Sequence, residues 1–431
     1  MTTEELYHIF TKHPSVQTDT RKLKPGDIFF ALKGDHFNGN TFARQAIDEG
    51  AVYAVIDEKV PMDTGIGIPG KTILVDDVSE ALQQLAYYHR QQFKIPFLAI
   101  TGSNGKTTTK ELIHAVLSST FTTYSTEGNL NNQIGIPLTI LKIKPDAEMA
   151  VIEMGANHRE EIASYCSYSL PTHGLITNCG KAHLEGFGGM DGVKKGKGEL
   201  FDYLRSQNGT AFVMWDYDYL QDMSQGISNI FTYGTTDADM EGQVVKSEPF
   251  LEVTLNKGAK ISSIKTQLVG DYNLPNVLAA VAVGKYFNVP DDKIKEAIES
   301  YSPSNSRSQL LETGTNKIIL DAYNANPSSM KLAIENFANL TGDNKVLMLG
   351  GMAELGAESL DEHKAIVDLI QQHHWKNVVL VGGDFLKFDH SFINFENADQ
   401  AKDWLLQQHF ENTHLLIKGS RSMQMEKVLE N

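Results

Sequence analysis

Apolar residues in this chain gather in short runs, each closed by a polar or glycine-rich turn and followed by a helical pattern. That alternation predicts parallel sheets covered by helices, an α/β protein. Near the start, Ile28–Leu32, Val52–Ile56 and Thr72–Val75 read as strands. Helices are expected around Thr41–Glu49 and Ala81–Gln92, with turn chemistry at Pro25-Gly26-Asp27 and a loop over Lys33–Gly39. Ile95-Pro96 opens a new strand, which sets a boundary near residue 94. Ser, Pro and Asn cluster at 301–305 as a linker. Beyond it Ile318–Leu320, Val346–Leu349, Val378–Val381 and Leu415–Ile417 alternate with helical stretches in a Rossmann-like manner. Gly382-Gly383 alone is no dinucleotide fingerprint. The expected domains are 1–93, 94–304 and 305–431, in keeping with 431 residues at about 150 per domain.

Composition changes this picture little: 41% hydrophobic and 21% charged is ordinary for a globular protein. Charge matters more. With 38 Lys and Arg against 54 Asp and Glu the net charge is −16, a field that repels nucleic-acid backbones and excludes general binding to them. No apolar run approaches the roughly 18 residues of a membrane span. The polar, acidic start Met-Thr-Thr-Glu-Glu-Leu-Tyr lacks a signal-peptide pattern. A cytoplasmic protein without membrane insertion is expected. Cys166 and Cys179 sit in no metal or redox spacing and read as packing residues.

The strongest chemical signal is Phe97-Leu-Ala-Ile-Thr-Gly-Ser-Asn-Gly-Lys-Thr-Thr-Thr-Lys110. A strand enters a glycine-rich turn, and a helix follows whose buried face carries Leu112, Ile113, Val116 and Leu117. In such a loop backbone N–H groups and the helix N-terminus wrap phosphate oxygens. Lys106 reaches the outer phosphates and the Thr107 hydroxyl binds magnesium. Ile100 stands where the usual motif has its first glycine, so the motif is Gly102-x-x-Gly105-Lys106-Thr107. A second signal is positional, since ligands of open α/β sheets bind beyond the carboxyl ends of strands. Apolar runs end there in Glu153, in Thr177-Asn178, and in Asp321-Ala-Tyr323-Asn324-Ala-Asn326. One carboxylate such as Glu153 beside Thr107 suffices for a hydrated magnesium. His183-Leu-Glu185, the basic run Lys194-Lys195-Gly-Lys197, and Asn129, Asn131 and Asn132 read equally as helix starts and loop formers.

Thr101-Gly-Ser-Asn-Gly-Lys-Thr-Thr108 resembles the ATP loop of the Mur ligases, which build the peptide of bacterial cell-wall precursors. Gly128-Asn-Leu-Asn-Asn-Gln-Ile-Gly-Ile-Pro137, Glu153-Met-Gly-Ala-Asn-His158 and His183-Leu-Glu-Gly-Phe-Gly188 also resemble that family. So do Asp321-Ala-Tyr-Asn-Ala-Asn-Pro327, Met352-Ala-Glu-Leu-Gly-Ala357 and Lys418-Gly-Ser-Arg-Ser422. The resemblance runs from Asp19-Thr-Arg21 to the last helix.

It implies three α/β domains: one for the uridine diphosphate end of a substrate, a central ATP domain, and a C-terminal Rossmann-like domain. It implies ATP and magnesium as cofactors. ATP would lie on Gly102, Ser103, Asn104, Gly105, Lys106, Thr107 and Thr108, with Asn273 and Asn276 at adenine, Arg307 at phosphate and Asp321 at ribose. Magnesium would lie on Thr107 and Glu153, with a second ion on His183. Lys197 falls where the family carries a carbamylated lysine, Lys195 being the alternative. Thr20 would meet uracil, and Asn129, Asn131 and Asn132 a muramoyl-peptide.

The implied activity joins D-Ala-D-Ala to a UDP-N-acetylmuramoyl-tripeptide through an acyl phosphate. Lys106, Lys197 and His183 would be catalytic, in a monomer whose domains close. The Asp-Asn-Pro-Arg signature of the tripeptide-forming sister enzyme is missing. His183 and Glu185 are candidates for the base that receives the amine proton. A folylpolyglutamate-type ligase and a nucleotide-gated switch remain rival readings.

Overall fold

The computed structural model describes residues 1–58, 70–304 and 306–430. Asn305, the last residue of the expected linker and the first of the expected third domain, lies outside the described residues. The architecture is mixed α/β with mainly parallel sheets. Two compact units emerge: Met1–Ala99 with Phe121–Gly155 and Glu161–His173, and Ile100–Thr120 with Ala156–Glu160 and Gly174–Asn431. The first unit draws in two stretches from beyond residue 120.

Within the first unit, four parallel strands run in the order Val16–Gln17, Ile28–Phe30, Tyr53–Ile56, Thr72–Leu74. Phe29, Ala31, Ala54 and Ile56 bury against Ala43, Ala46 and Ile47 of the helix Ala43–Asp48. That helix starts two residues later than expected, because Gly39–Phe42 forms a 3-10 turn before it. Its partner Val78–Arg90 starts three residues earlier than expected, since the Asp77 carboxylate accepts from Glu80 N–H and caps it. Val78–Arg90 packs on Gly135–Leu141 and Glu161–Ser169. There Arg90 donates to the carbonyls of Phe93, Ser169 and Leu170, with its guanidinium 3.7 Å above the Phe97 ring. This packing explains why the chain returns to the first unit. A parallel pair, Thr123–Ser125 beside Met149–Glu153, completes it.

The second unit holds two sheets. In one, strands run in the order Ser263–Lys265, Glu252–Lys257, Met240–Lys246, Asn229–Gly234, Thr210–Met214, His173–Ile176. The outer three pair antiparallel, an edge the expected parallel pattern omits. Glu252–Lys257 alternates half-exposed and buried residues along much of its length, the period-two signature of a strand with one wet face. The other sheet orders Gln309–Thr313, Asn316–Asp321, His414–Lys418, Lys345–Gly350, Asn377–Val381, Ile393–Phe395. All its pairs are parallel except the first. Its core joins Val346, Met348, Val379, Val381, Leu415 and Ile417. The four strands expected here are present. Among the described residues no helix is long and apolar enough to cross a membrane.

Candidate active site

The glycine-rich loop sits between the fully buried strand Phe97–Thr101 and the helix Lys106–Ser118. Leu112, Ile113, Val116 and Leu117 of that helix are fully buried, each worth about 1.5–3 kcal/mol against exposure. This apolar face anchors the helix, so its N-terminus and the loop before it are held in place. Gly105 caps the helix at φ +79°, a left-handed geometry that disfavours other residues.

Polar groups fix the loop from beneath. Ser103 N–H donates to the Asn178 carbonyl, and Asn104 N–H to Asn178 Oδ1 at 3.1 Å. The Asn104 carbonyl accepts from Thr177 Oγ1 at 2.6 Å and from Asn178 Nδ2 at 3.1 Å. Ser103 Oγ donates to the Gly180 carbonyl. Lys106 Nζ arches back onto the carbonyls of Gly102 and Ser103 at 2.7 and 3.2 Å. Thr107 is buried and Thr108 half-buried in the first helical turn.

The expected adenine pair lies close to this loop. Asn276 Oδ1 accepts from Thr109 Oγ1 at 3.0 Å, Asn276 Nδ2 donates to Asn273 Oδ1 at 2.8 Å, and Asn273 Nδ2 donates to the Val269 carbonyl. Both asparagines are buried, so in this arrangement they brace the first turn of the helix.

Other expected residues of the second unit gather in three places. Asp321 takes Ser308 N–H at 3.0 Å and a 2.5 Å ion pair from Lys418, whose side chain is 2% exposed. The Arg307 guanidinium lies 3.6 Å above the Tyr323 ring nearby. Asn326, closing the same segment, caps the helix Pro327–Asn339 and donates to Asn104 Oδ1 at 2.7 Å. His183 adopts φ +52° and approaches Glu354 with Nδ1 to Oε2 at 2.5 Å. Glu354 is also left-handed, at φ +62°, and hydrogen bonding to His183 holds its carboxyl below the usual range. Lys197 is 1% exposed, donates to the Ala156 carbonyl at 2.9 Å and lies over the Phe187 ring, whereas Lys195 is exposed. Burial pushes the Cys179 thiol up to about 11, which keeps it inert; Cys166 is buried too, so both cysteines pack as expected.

In the first unit, Glu153 ends its strand 1% exposed. Its N–H donates to Thr126 Oγ1, and its Oε1 accepts from Asn131 Nδ2 at 2.8 Å. Asn132 Oδ1 accepts from Ile134 and Gly135 N–H at the start of the helix Gly135–Leu141. Asn129 is exposed. Thr20 begins a 3-10 turn capped by Asp19, which also pairs with Arg21. The sequence pattern set Asn178 and Asn326 among the polar strand ends without naming their partners, and it gave neither Glu354 nor Lys418 a role. All four sit inside motifs or at strand ends that it quoted.

A glycine-rich loop between a buried strand and a helix, beside a mainly parallel sheet whose second strand ends in Asp321, is the architecture of an α/β protein of the phosphate-loop type. Residues 14–90 match the description "Mur ligase family, catalytic domain", 100–284 the "Mur ligase middle domain", and 306–421 the "Mur ligase, glutamate ligase domain". A UDP-N-acetylmuramoyl-tripeptide–D-alanyl-D-alanine ligase of Escherichia coli is 36% identical over 430 residues, covering 96% of this chain and 92% of that one. The crystal structure of MurF from Acinetobacter baumannii superposes with a TM-score of 0.85 at 29% identity, over 96% and 92% of the two chains. MurF of Thermotoga maritima, solved in complex with ADP, shares the fold with a TM-score of 0.86 at 24% identity, over 96% of each chain. The chain belongs to the Mur ligase family.

Proposed function

We propose that this chain joins D-Ala-D-Ala to the terminal carboxylate of UDP-N-acetylmuramoyl-tripeptide at the expense of ATP. The observation that carries the reading is likeness over nearly the whole chain, at 36% identity, to a ligase so named. The geometry of the loop supports it. The carboxylate attacks the γ-phosphorus of ATP, the bond to the bridging oxygen breaks, and ADP leaves. The neutral amine of D-Ala-D-Ala then attacks the acyl carbon and gives up a proton to a base, for which His183 and Glu185 are the candidates; an amide forms, and phosphate leaves with the electron pair of the broken C–O bond. Free α-amino groups have pKa about 8, so the neutral amine is accessible near neutral pH.

Lys106, swung from its loop carbonyls, offsets charge on the transferred phosphoryl group. Gly102 to Thr108 cradle the phosphates with Arg307, Asn273 and Asn276 meet the adenine, and Asp321 holds the ribose. Thr20 serves the uracil, while Asn129, Asn131 and Asn132 serve the muramoyl-peptide.

The donor set fits magnesium, which takes hard oxygen ligands and keeps waters. Among the described residues no three His, Cys, Asp or Glu side chains converge on a closed cage. The Thr107 hydroxyl and the buried Glu153 carboxylate, its Oε1 oriented by Asn131, are ligands of that kind. His183 and Lys197, the latter as a carbamate formed when its neutral amine adds CO₂ and loses a proton, would hold a second ion. Bound magnesium would neutralise charge on the phosphoryl oxygens. The protein works as a cytoplasmic monomer in precursor synthesis.

The test is phosphate release from ATP and magnesium with the tripeptide nucleotide and D-Ala-D-Ala added separately and together. Release that needs both, with a product heavier by the dipeptide, is expected. Release indifferent to D-Ala-D-Ala would defeat the assignment.

A further inference from the structure

The Asp321–Asn326 segment carries, five residues apart, the carboxylate assigned to ribose and an amide that reaches the phosphate loop. Asn326 is 9% exposed and engaged on both sides. Its Oδ1 accepts from Ser329 N–H at 2.9 Å and its own N–H donates to Ser329 Oγ, which caps the helix Pro327–Asn339. Its Nδ2 donates to Asn104 Oδ1 at 2.7 Å. The Asn104 backbone is already held on both its N–H and its carbonyl, so this bond fixes its side chain as well. A second contact lies alongside, where Ser328 Oγ accepts from Lys181 N–H at 2.9 Å. Gly180 makes room for it: a Cβ there would lie 2.9 Å from Ser328 Oγ and 3.2 Å from Asn104 Nδ2. Lys181 further pairs with Glu362 at 2.5 Å.

We infer that Asn326 is a positioning residue for the phosphate loop, acting through the Asn104 side chain so that the segment holding the ribose also sets the loop for the phosphates. The inference rests on the reading that this loop binds ATP. Capping alone does not account for the residue, since a cap needs only the acceptor Oδ1, whereas the contact with Asn104 uses the amide donor.

The experiment is ADP titration calorimetry on the full chain and on Asn326→Ser, Asn104→Ala and the double variant, with melting curves in parallel. Serine keeps a hydroxyl that can cap Ser329 but is too short to reach Asn104. Loss of one uncharged hydrogen bond corresponds to about a fivefold change. Each single variant is expected to weaken ADP by about that factor, the double by no more than either single, and the KM for ATP to rise while that for D-Ala-D-Ala stays put. The nucleotide-free melting temperature of Asn326→Ser should hold. Multiplying effects in the double variant, or a lowered melting temperature with unchanged ADP affinity, would overturn the inference. An unaltered protein that binds no ADP would defeat the ATP reading and this inference together. Binding without ligation would defeat only the ligase reading.

Discussion

Replacing Gly105 by alanine tests whether the loop conformation itself is what binds nucleotide. At φ +79° the new residue pays a left-handed penalty of about 1–2 kcal/mol. Its Cβ would lie 2.7 Å from Asn276 Oδ1, closer than real contacts allow. Asn276 must therefore retreat, loosening its bonds to Thr109 and Asn273 at about 1 kcal/mol each. Restoring the phosphate-ready loop would then cost about 3 kcal/mol, a weakening of ADP binding on the order of a hundredfold. Titration calorimetry reads that directly, and urea unfolding should move less, because the loop can relax without the core. Asn276→Ala removes the wall and the same two hydrogen bonds, so Gly105→Ala with Asn276→Ala should fall short of the sum by about 2 kcal/mol. An ADP affinity within threefold of the unaltered protein, or strict additivity in the pair, would refute the reasoning.

Three further outcomes follow from the first and second units. Arg90→Met keeps the packing of the stem but leaves three carbonyls without their donor; urea unfolding should lose about 3 kcal/mol, and a loss under half a kcal/mol would contradict the contact. Lys418→Met strips Asp321 of a counter-ion that is itself buried, which should destabilise by about 3–5 kcal/mol and weaken nucleotide binding; an unchanged melting curve would show the pair to be idle. His173 is pulled down from 6.5 to about 4 by burial, so the folded state holds the neutral ring. Its contribution to stability is complete above 6.5 and is lost as the pH falls from there through about 4. His173→Gln should flatten that part of the acid-unfolding curve, and an imidazole titrating near 6.5 in the folded protein would end the argument.

The alternation of apolar runs and helical patterns was enough to place the C-terminal strands, because each is buried on both faces and reads as an uninterrupted apolar stretch. The antiparallel edge escaped for the opposite reason. Glu252-Val-Thr-Leu-Asn-Lys mixes half-exposed and buried positions and reads as polar when only runs are sought. In the site, the loop Thr101–Thr108 was legible because its glycines interrupt an apolar strand just before a helical pattern, and a strand, a turn and a helix stand there. The partners of Asn178, Asn326 and Glu354 were not legible, because they lie 74, 222 and 171 positions away. Lys197 and Lys195 are equivalent in sequence and separate only in space, one buried and one exposed. Similarly, Asn131 and Asn132 adjoin in the chain, yet one orients Glu153 and the other starts a helix.

The helix Val78–Arg90 closes the first ninety residues, yet much of what it leans on lies elsewhere. His89 Nε2 meets the Ile143 carbonyl, Gln83 Nε2 reaches that of Gln133, and Arg90 needs Ser169 and Leu170. The segment that matches a family domain at 14–90 is thus not a detachable part. A graft of those residues onto another ligase would arrive without its own floor. A transplant of this end of the molecule has to carry Phe121–Gly155 and Glu161–His173 with it, even though Ile100–Thr120, with the glycine-rich loop and its helix, lies between them in the chain.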